Sequence, residues 1–158
     1  MRPINIKKAI IALLIPEAVG GLAALLSGNI SETYMAWKQP PLAPPGIVFP
    51  IVWAILYALM GIASYLVFDE RKVPMQKRKK ALTVYAVQLF INFIWPIIFF
   101  GFKSPTIALV IIIALVIAAI LATLQFRHIS QTAFVLMIPY IVWLFFATYL
   151  NIGIVALN

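Results

Sequence analysis

Long runs of apolar residues dominate the chain, and polar residues are mostly confined to the short segments between them. Five such runs fall at about residues 9–28, 47–68, 82–102, 106–126 and 133–157. Each has about 20 residues or more, the length that an α-helix needs to cross a hydrocarbon core of about 30 Å. The runs lack the strict alternation of apolar and polar residues that barrel strands show. The pattern therefore predicts an all-α membrane protein, a bundle of five transmembrane helices.

Composition supports a single membrane domain spanning residues 1–158. Of the 158 residues, 65% are hydrophobic and 10% are charged, against about 45–50% and about 25% in an average soluble domain. A soluble protein of this size could not bury so much apolar surface, which excludes a water-soluble enzyme and a disordered chain. The chain has no Cys and one His, His128. Thiolate chemistry and a multi-His metal site within one chain are therefore excluded, and we expect neither a metal nor a cofactor.

Lys and Arg are distributed unevenly among the segments that connect the runs. The chain has 12 Lys and Arg against 4 Asp and Glu, a formal net charge of +8. Ten of these basic residues lie in the N-terminus (including Arg2) and in the second and fourth connections, and two lie in the first and third. Because basic residues favour the cytoplasmic side, we predict a cytoplasmic N-terminus and an external C-terminus. Anionic membrane lipid, not nucleic acid, is the expected partner of the run Lys77–Lys80.

Helical spacing gathers aromatic and amide side chains on one face of three helices. These faces are Trp53, Tyr57, Met60 and Ser64 on the second, Gln88, Asn92, Trp95 and Phe99 on the third, and Tyr140, Trp143, Ala147 and Asn151 on the fifth. Amides at membrane depth are costly unless they have partners, so these faces should point into the bundle. They predict either a pocket for a flat, mostly apolar ligand or polar contacts that only join helices.

Two other patterns leave alternatives open. Small residues recur at Gly20, Ala24 and Gly28 and at Ala114, Ala118 and Ala122, a spacing that serves either packing within the chain or a homodimer. Glu17 is the only charged residue well inside a run. It is either a carboxylate that couples transport to proton movement or a protonated or hydrogen-bonded group beside Pro16. The N-terminal run could also be a cleaved signal peptide, but Pro16–Glu17 interrupts it.

The order and spacing of the aromatic, proline and amide residues resemble those of one membrane-protein family. Its first loop and second helix are matched by Tyr34, Pro40, Pro44–Pro45, Trp53, Tyr57, Met60–Gly61 and Tyr65. Its third and fifth helices resemble residues 85–101 (YAVQLFINFIWPIIFFG) and 139–151 (PYIVWLFFATYLN). This is the TspO/translocator protein family, also called tryptophan-rich sensory proteins or peripheral-type benzodiazepine receptors.

The resemblance implies a five-helix bundle, usually a homodimer, with a pocket under an ordered first loop, here residues 29–45. Members bind porphyrins such as protoporphyrin IX, isoquinoline and benzodiazepine drugs and, in animals, cholesterol. Carried over by position, with Tyr57 added from its shared face, the ligand-binding residues are Tyr34, Trp53, Tyr57, Gln88, Asn92, Trp95, Phe99, Trp143, Phe146, Ala147 and Asn151.

The sequence departs from the family pattern in two places. Leu42 stands where many members carry an aromatic residue, which removes one stacking surface. No basic residue follows the tyrosines of the fifth helix between Asn151 and Asn158, so steroid binding through the animal motif is not expected. We expect an integral protein of a prokaryotic plasma membrane.

Three functions follow as hypotheses. The first is a receptor or sensor that stacks a porphyrin on tryptophan side chains. The second is light- and oxygen-dependent porphyrin degradation, a chemistry proposed for the family, in which Trp53 and Trp143 are the catalytic candidates. The third is transport of porphyrin or another amphiphile, with Glu17 as the coupling group. No acid–base or metal constellation in the sequence indicates ordinary hydrolytic chemistry.

Overall fold

A computed structural model describes residues 3–158, so Arg2, one of the ten basic residues assigned to the cytoplasmic side, lies outside the described range. The described chain is helical, with α1 (Ile6–Leu26), α2 (Ile30–Ala36), α3 (Val48–Asp69), α4 (Met75–Pro96), α5 (Pro105–Arg127) and α6 (Gln131–Leu157). A π-helical turn, Ile97–Gly101, continues α4. All of these helices except α2 are long and apolar enough to cross a membrane. The prediction of an all-α protein with five spans is confirmed.

The observed helix boundaries differ most from the prediction at α4. This helix begins at Met75, about two turns before the expected start near residue 82. The basic run Lys77–Lys80 therefore forms the first turns of a helix, and its placement in a connecting loop was wrong. The reason is that hydrophobicity marks the part of a helix that suits lipid, whereas the helix itself extends beyond it.

The first connection is ordered and contains a short helix of its own. The side chain of Asn29 caps α2 by accepting a hydrogen bond from the backbone N–H of Glu32 at 3.1 Å. Gly28, which precedes this cap, has a φ of +71° and lies beyond the end of α1. Gly28 therefore makes the turn between α1 and α2, and it does not extend the stripe of Gly20 and Ala24 along a helix.

The five long helices form a closed ring in the order α1, α3, α6, α5, α4, with each packed against the next. At the contact between α1 and α3, a Cβ atom added to Gly61 would lie 2.7 Å from the Cα of Leu13 and 2.8 Å from the carbonyl oxygen of Ala12. That carbonyl lacks its usual helical donor because Pro16, four residues later, has no N–H. The absence of a side chain at Gly61 thus lets α3 approach α1 where Pro16 has freed a backbone acceptor.

The small residues of α5 divide between its two faces. Ala108, Ala119 and Ala122 are fully buried together with Ile112 and Leu115. Along the predicted stripe, Ala114 is exposed, Ala118 is half-buried and Ala122 is buried. The packed face of α5 therefore follows Ala108, Ala119 and Ala122, and the predicted stripe runs from the outer surface of the bundle into its core.

Candidate functional site

A cavity of about 530 Å³ lies between α1, α3 and α4, beneath α2 and the segment that joins it to α3. Its size falls in the usual range for small-molecule sites, about 300–1,000 Å³. We call its α2 side the roof, formed by Ile30, Ser31, Tyr34, Gly46 and Ile47.

The opposite end of the cavity is its floor, formed by Glu17, Tyr57 and Asn92. The chain direction fixes this assignment, because α1 and the π-helical turn after α4 end near α2, whereas α3 begins there. These three residues are therefore the lining positions of α1, α3 and α4 that lie farthest from α2. Glu17 precedes the end of α1 at Leu26 by nine residues, about 14 Å along the helix axis. The carboxyl group thus lies near the middle of the span.

A chain of hydrogen bonds leads from the floor into the centre of the bundle. The Tyr57 hydroxyl donates to Asn92 Oδ1 at 2.7 Å, and Asn92 Nδ2 donates to the Tyr140 hydroxyl at 2.8 Å. That hydroxyl donates in turn to Gln88 Oε1 at 2.7 Å. Gln88, Asn92 and Tyr140 are almost completely buried. The chain connects α3, α4 and α6 and gives each of the two α4 amides a partner at membrane depth, where lipid offers none.

Two tryptophan side chains form the aromatic walls. Trp53 stacks on Tyr57, with ring centroids 5.5 Å apart and an interplanar angle of 28°. Trp95 stacks on Phe99 at 5.1 Å and 26°, and its Nε1 donates to Asn151 Oδ1 at 3.2 Å. Both indole rings line the cavity. Their positions are therefore set by contacts within the protein before any ligand binds.

Hydrogen bonds anchor Tyr34 of the roof and the proline-rich loop that follows α2, residues 37–45. The Tyr34 hydroxyl donates to the carbonyl of Pro44 at 2.7 Å, and the Tyr34 ring contacts Phe49 edge-on at 5.0 Å. Partial burial raises the pKa of Tyr34 above its usual value, so this hydroxyl stays protonated as a donor. Farther along, the Tyr149 hydroxyl of α6 donates to the carbonyl of Pro41 at 2.6 Å. The proline-rich loop is thus held against α6 as well as over the cavity.

The eleven predicted ligand-binding residues fall into two groups. Those that line the cavity are Tyr34, Trp53, Tyr57, Asn92 and Trp95. The other six lie behind its walls or along α6. Of these, Gln88, Phe99, Ala147 and Asn151 are buried, and Trp143 and Phe146 are half-buried.

Three members of the second group contact side chains that line the cavity. Phe99 supports Trp95, and Asn151 accepts its indole N–H while donating to the carbonyl of Pro105 at 2.8 Å. Trp143 packs against Phe49, which lines the cavity, at 6.0 Å, and its own N–H has no partner among residues 3–158. Trp53 and Trp143, the two candidates for photochemistry, thus differ in their access to the cavity.

Several lining residues were not in the predicted set, among them Glu17, Gly20, Ala24, Phe49 and Phe100. The sequence did mark Glu17 as unusual, because it is the only charged residue well inside a run. However, residue spacing gave no reason to place α1 beside the aromatic faces of the other helices. Phe100 lines the cavity because the π-helical turn after Pro96 changes the rotation of the helix, so Phe99 and Phe100 are both buried. A pattern based on regular α-helical spacing cannot anticipate that change.

The cavity offers aromatic faces, the hydroxyl groups of Ser31 and Tyr34 at the roof, and at the floor the paired Tyr57 and Asn92 and the carboxyl group of Glu17. Among residues 3–158, no three or more His, Cys, Asp or Glu side chains cluster as metal ligands would. The arrangement suits the enclosure of a flat, largely apolar molecule, with few polar groups to orient it.

Comparison with known proteins assigns the family. The model of the TspO/MBR family matches residues 12–157. The chain belongs to the TspO/MBR family. It is 36% identical over 155 residues to the tryptophan-rich protein TspO of Archaeoglobus fulgidus, covering 98% of this chain and 99% of that protein. The human translocator protein is 38% identical over 118 residues, 75% of this chain and 70% of its own.

Other members of the TspO/MBR family match over similar lengths. The tryptophan-rich sensory protein of Cereibacter sphaeroides is 33% identical over 127 residues, which cover 80% of this chain and 77% of that protein. Membership of the TspO/MBR family and the five apolar helices together identify an integral membrane protein. The resemblance found in the sequence is confirmed at the level of the family.

Proposed function

We propose that the protein is a membrane receptor that binds porphyrins, such as protoporphyrin IX, and similar planar apolar ligands in the cavity between α1, α3 and α4. The observation that carries the proposal is the pair of indole rings, Trp53 and Trp95, that line one cavity of about 530 Å³. Flat aromatic ligands gain affinity by stacking on such surfaces. The names of its relatives, translocator protein and tryptophan-rich sensory protein, are consistent with a ligand-binding role in a membrane.

The proposal includes a setting for the receptor. The relative from Archaeoglobus fulgidus, which matches 98% of this chain, supports a prokaryotic plasma membrane. The positive-inside distribution of Lys and Arg supports a cytoplasmic N-terminus. With that orientation the roof of the cavity faces the outside of the cell, and a homodimer is the expected assembly.

The test is a titration of the detergent-purified protein with protoporphyrin IX in the dark, followed by quenching of tryptophan fluorescence and by the porphyrin absorbance band. We expect saturable binding. Trp53→Ala should weaken it about tenfold, because stacking and burial of one ring are worth roughly 1–2 kcal/mol. Trp143→Ala should weaken it less, because this side chain contacts the cavity through Phe49. Absence of saturable binding to the wild type would reject the porphyrin class.

The same sample distinguishes binding from degradation. Trp53 and Trp95 line the cavity, so an indole ring would lie against any porphyrin bound there. Stable porphyrin absorbance under light and oxygen would support a receptor and argue against an enzyme. Protein-dependent loss of the absorbance band that disappears in Trp53→Phe would instead identify a tryptophan-dependent enzyme.

A further inference from the structure

One charged side chain lines the cavity, and it has no hydrogen-bond partner among residues 3–158. Glu17 is the only charged residue among those that line the cavity. None of the hydrogen bonds formed among residues 3–158 involves its carboxyl group. The basic residues of α1 nearest to it in sequence, Lys7 and Lys8, precede it by ten and nine residues, so the nearer one is about 14 Å away along the helix.

The other polar groups of the floor are already paired with each other or with the bundle. The Tyr57 hydroxyl is used in its bond to Asn92 Oδ1, and Asn92 Nδ2 is used in its bond to Tyr140. Of the three floor side chains, Glu17 is therefore the one that forms no hydrogen bond among residues 3–158. A ligand that reaches the floor must either satisfy this group or bury it without a partner, which is costly in apolar surroundings.

The structure leaves room for a ligand group beside the carboxyl. Gly20 and Gly21, which follow Glu17 on α1, line the cavity without side chains. A Cβ atom added to Gly20 would collide with the ring of Tyr57, whereas one added to Gly21 would meet nothing within 4 Å. The Tyr57 ring thus lies against α1 at Gly20, and open space remains at Gly21.

On the basis of the proposed function, we propose that Glu17 selects and orients the ligand. The end of the ligand that reaches the floor carries a protonated amine or another N–H donor. The carboxylates of a porphyrin-type ligand stay at the roof, because two carboxyl groups at the floor could not both ionise in a site of low dielectric constant. The preferred ligands are therefore planar apolar molecules with a positive or donor group at one end, bound by a charge-assisted hydrogen bond.

The experiment uses three porphyrins with the same ring and different side groups. These are protoporphyrin IX, its neutral dimethyl ester and its bis(2-aminoethyl) amide, each titrated in the dark into the full-length protein in detergent. The variants are Glu17→Gln, which keeps the shape and removes the charge, and Asp69→Asn, a matched control at the end of α3 outside the cavity.

We expect the wild type and Asp69→Asn to bind the amine derivative about tenfold more tightly than the acid. Glu17→Gln should abolish that difference, mainly by weakening the amine derivative, whereas Asp69→Asn should keep it. Equal shifts for all three probes, or no shift, would overturn the role of Glu17 while leaving the receptor in place. Failure of all three to bind the wild type saturably would overturn the proposed function, and this inference with it.

Discussion

At the scale of single residues, the hydroxyl group of Tyr140 has the most consequential position. It accepts a hydrogen bond from Asn92 and donates one to Gln88, and all three side chains are almost completely buried. We expect Tyr140→Phe to lower the free energy of unfolding by about 1–3 kcal/mol, because two buried amide groups lose a partner that water cannot replace. Thermal unfolding in detergent measures the loss.

The matched control is Tyr149→Phe, the same substitution at a more exposed hydroxyl that donates to the carbonyl of Pro41. Its effect should be smaller, about 0.5–1.5 kcal/mol, because solvent can reach the freed carbonyl. Equal losses of unfolding free energy in the two variants would show that burial of the Tyr140 hydrogen bonds adds nothing to their contribution to stability.

Helical spacing predicted which side chains of the third span face inward, but not which of them line the cavity. Spacing placed Gln88, Asn92, Trp95 and Phe99 on one inward face of the third span, and the structure buries all four. It could not show that only Asn92 and Trp95 line the cavity. Gln88 lies one helical turn beyond Asn92, on the side away from α2 and past the floor, and Phe99 is stacked on Trp95.

At the scale of the elements, the crossing of α1 and α3 depends on Gly61. A methyl group there would meet the backbone of α1 at 2.7–2.8 Å, and backbone cannot move aside as a flexible side chain can. We expect Gly61→Ala to lower stability by about 1–3 kcal/mol through overpacking, as measured by thermal unfolding in detergent.

Gly21→Ala is the control for this prediction, because a Cβ atom at Gly21 meets nothing within 4 Å and the residue lies within a helix. It should leave stability unchanged or raise it slightly, because alanine favours the helix over glycine. An unfolding temperature of Gly61→Ala equal to that of wild type would show that α1 and α3 can separate without cost.

The elements themselves follow from the sequence more closely than their ends do. Five apolar runs became five long helices. The missed start of α4 at Met75 and the π-helical turn at Ile97–Gly101 lie where hydrophobicity and regular spacing carry no information. Polar residues continue a helix beyond the lipid, and Pro96 removes a backbone donor just before the wide turn.

At the scale of the whole molecule, the distribution of Lys and Arg predicts the orientation of the protein in the membrane. A reporter enzyme active only outside the cytoplasm should be active when fused after Asn158 and inactive when inserted after Lys72, between α3 and α4. A reporter that fluoresces only in the cytoplasm should give the opposite pattern. Activity of the external reporter after Lys72 would reverse the assigned topology and place the roof of the cavity on the cytoplasmic side.

The sequence by itself determined the class of this protein. Lipid leaves the backbone no partner except its own helix, so five apolar runs of sufficient length specify five spans, and the order of aromatic and proline residues identifies the family. The tertiary structure decided which side chains share the cavity. Glu17 of α1, Tyr57 of α3 and Asn92 of α4 line one cavity because the helices close into a ring, with Gly61 bringing α3 onto α1. Such contacts depend on packing between distant segments, which the spacing within any one helix does not contain.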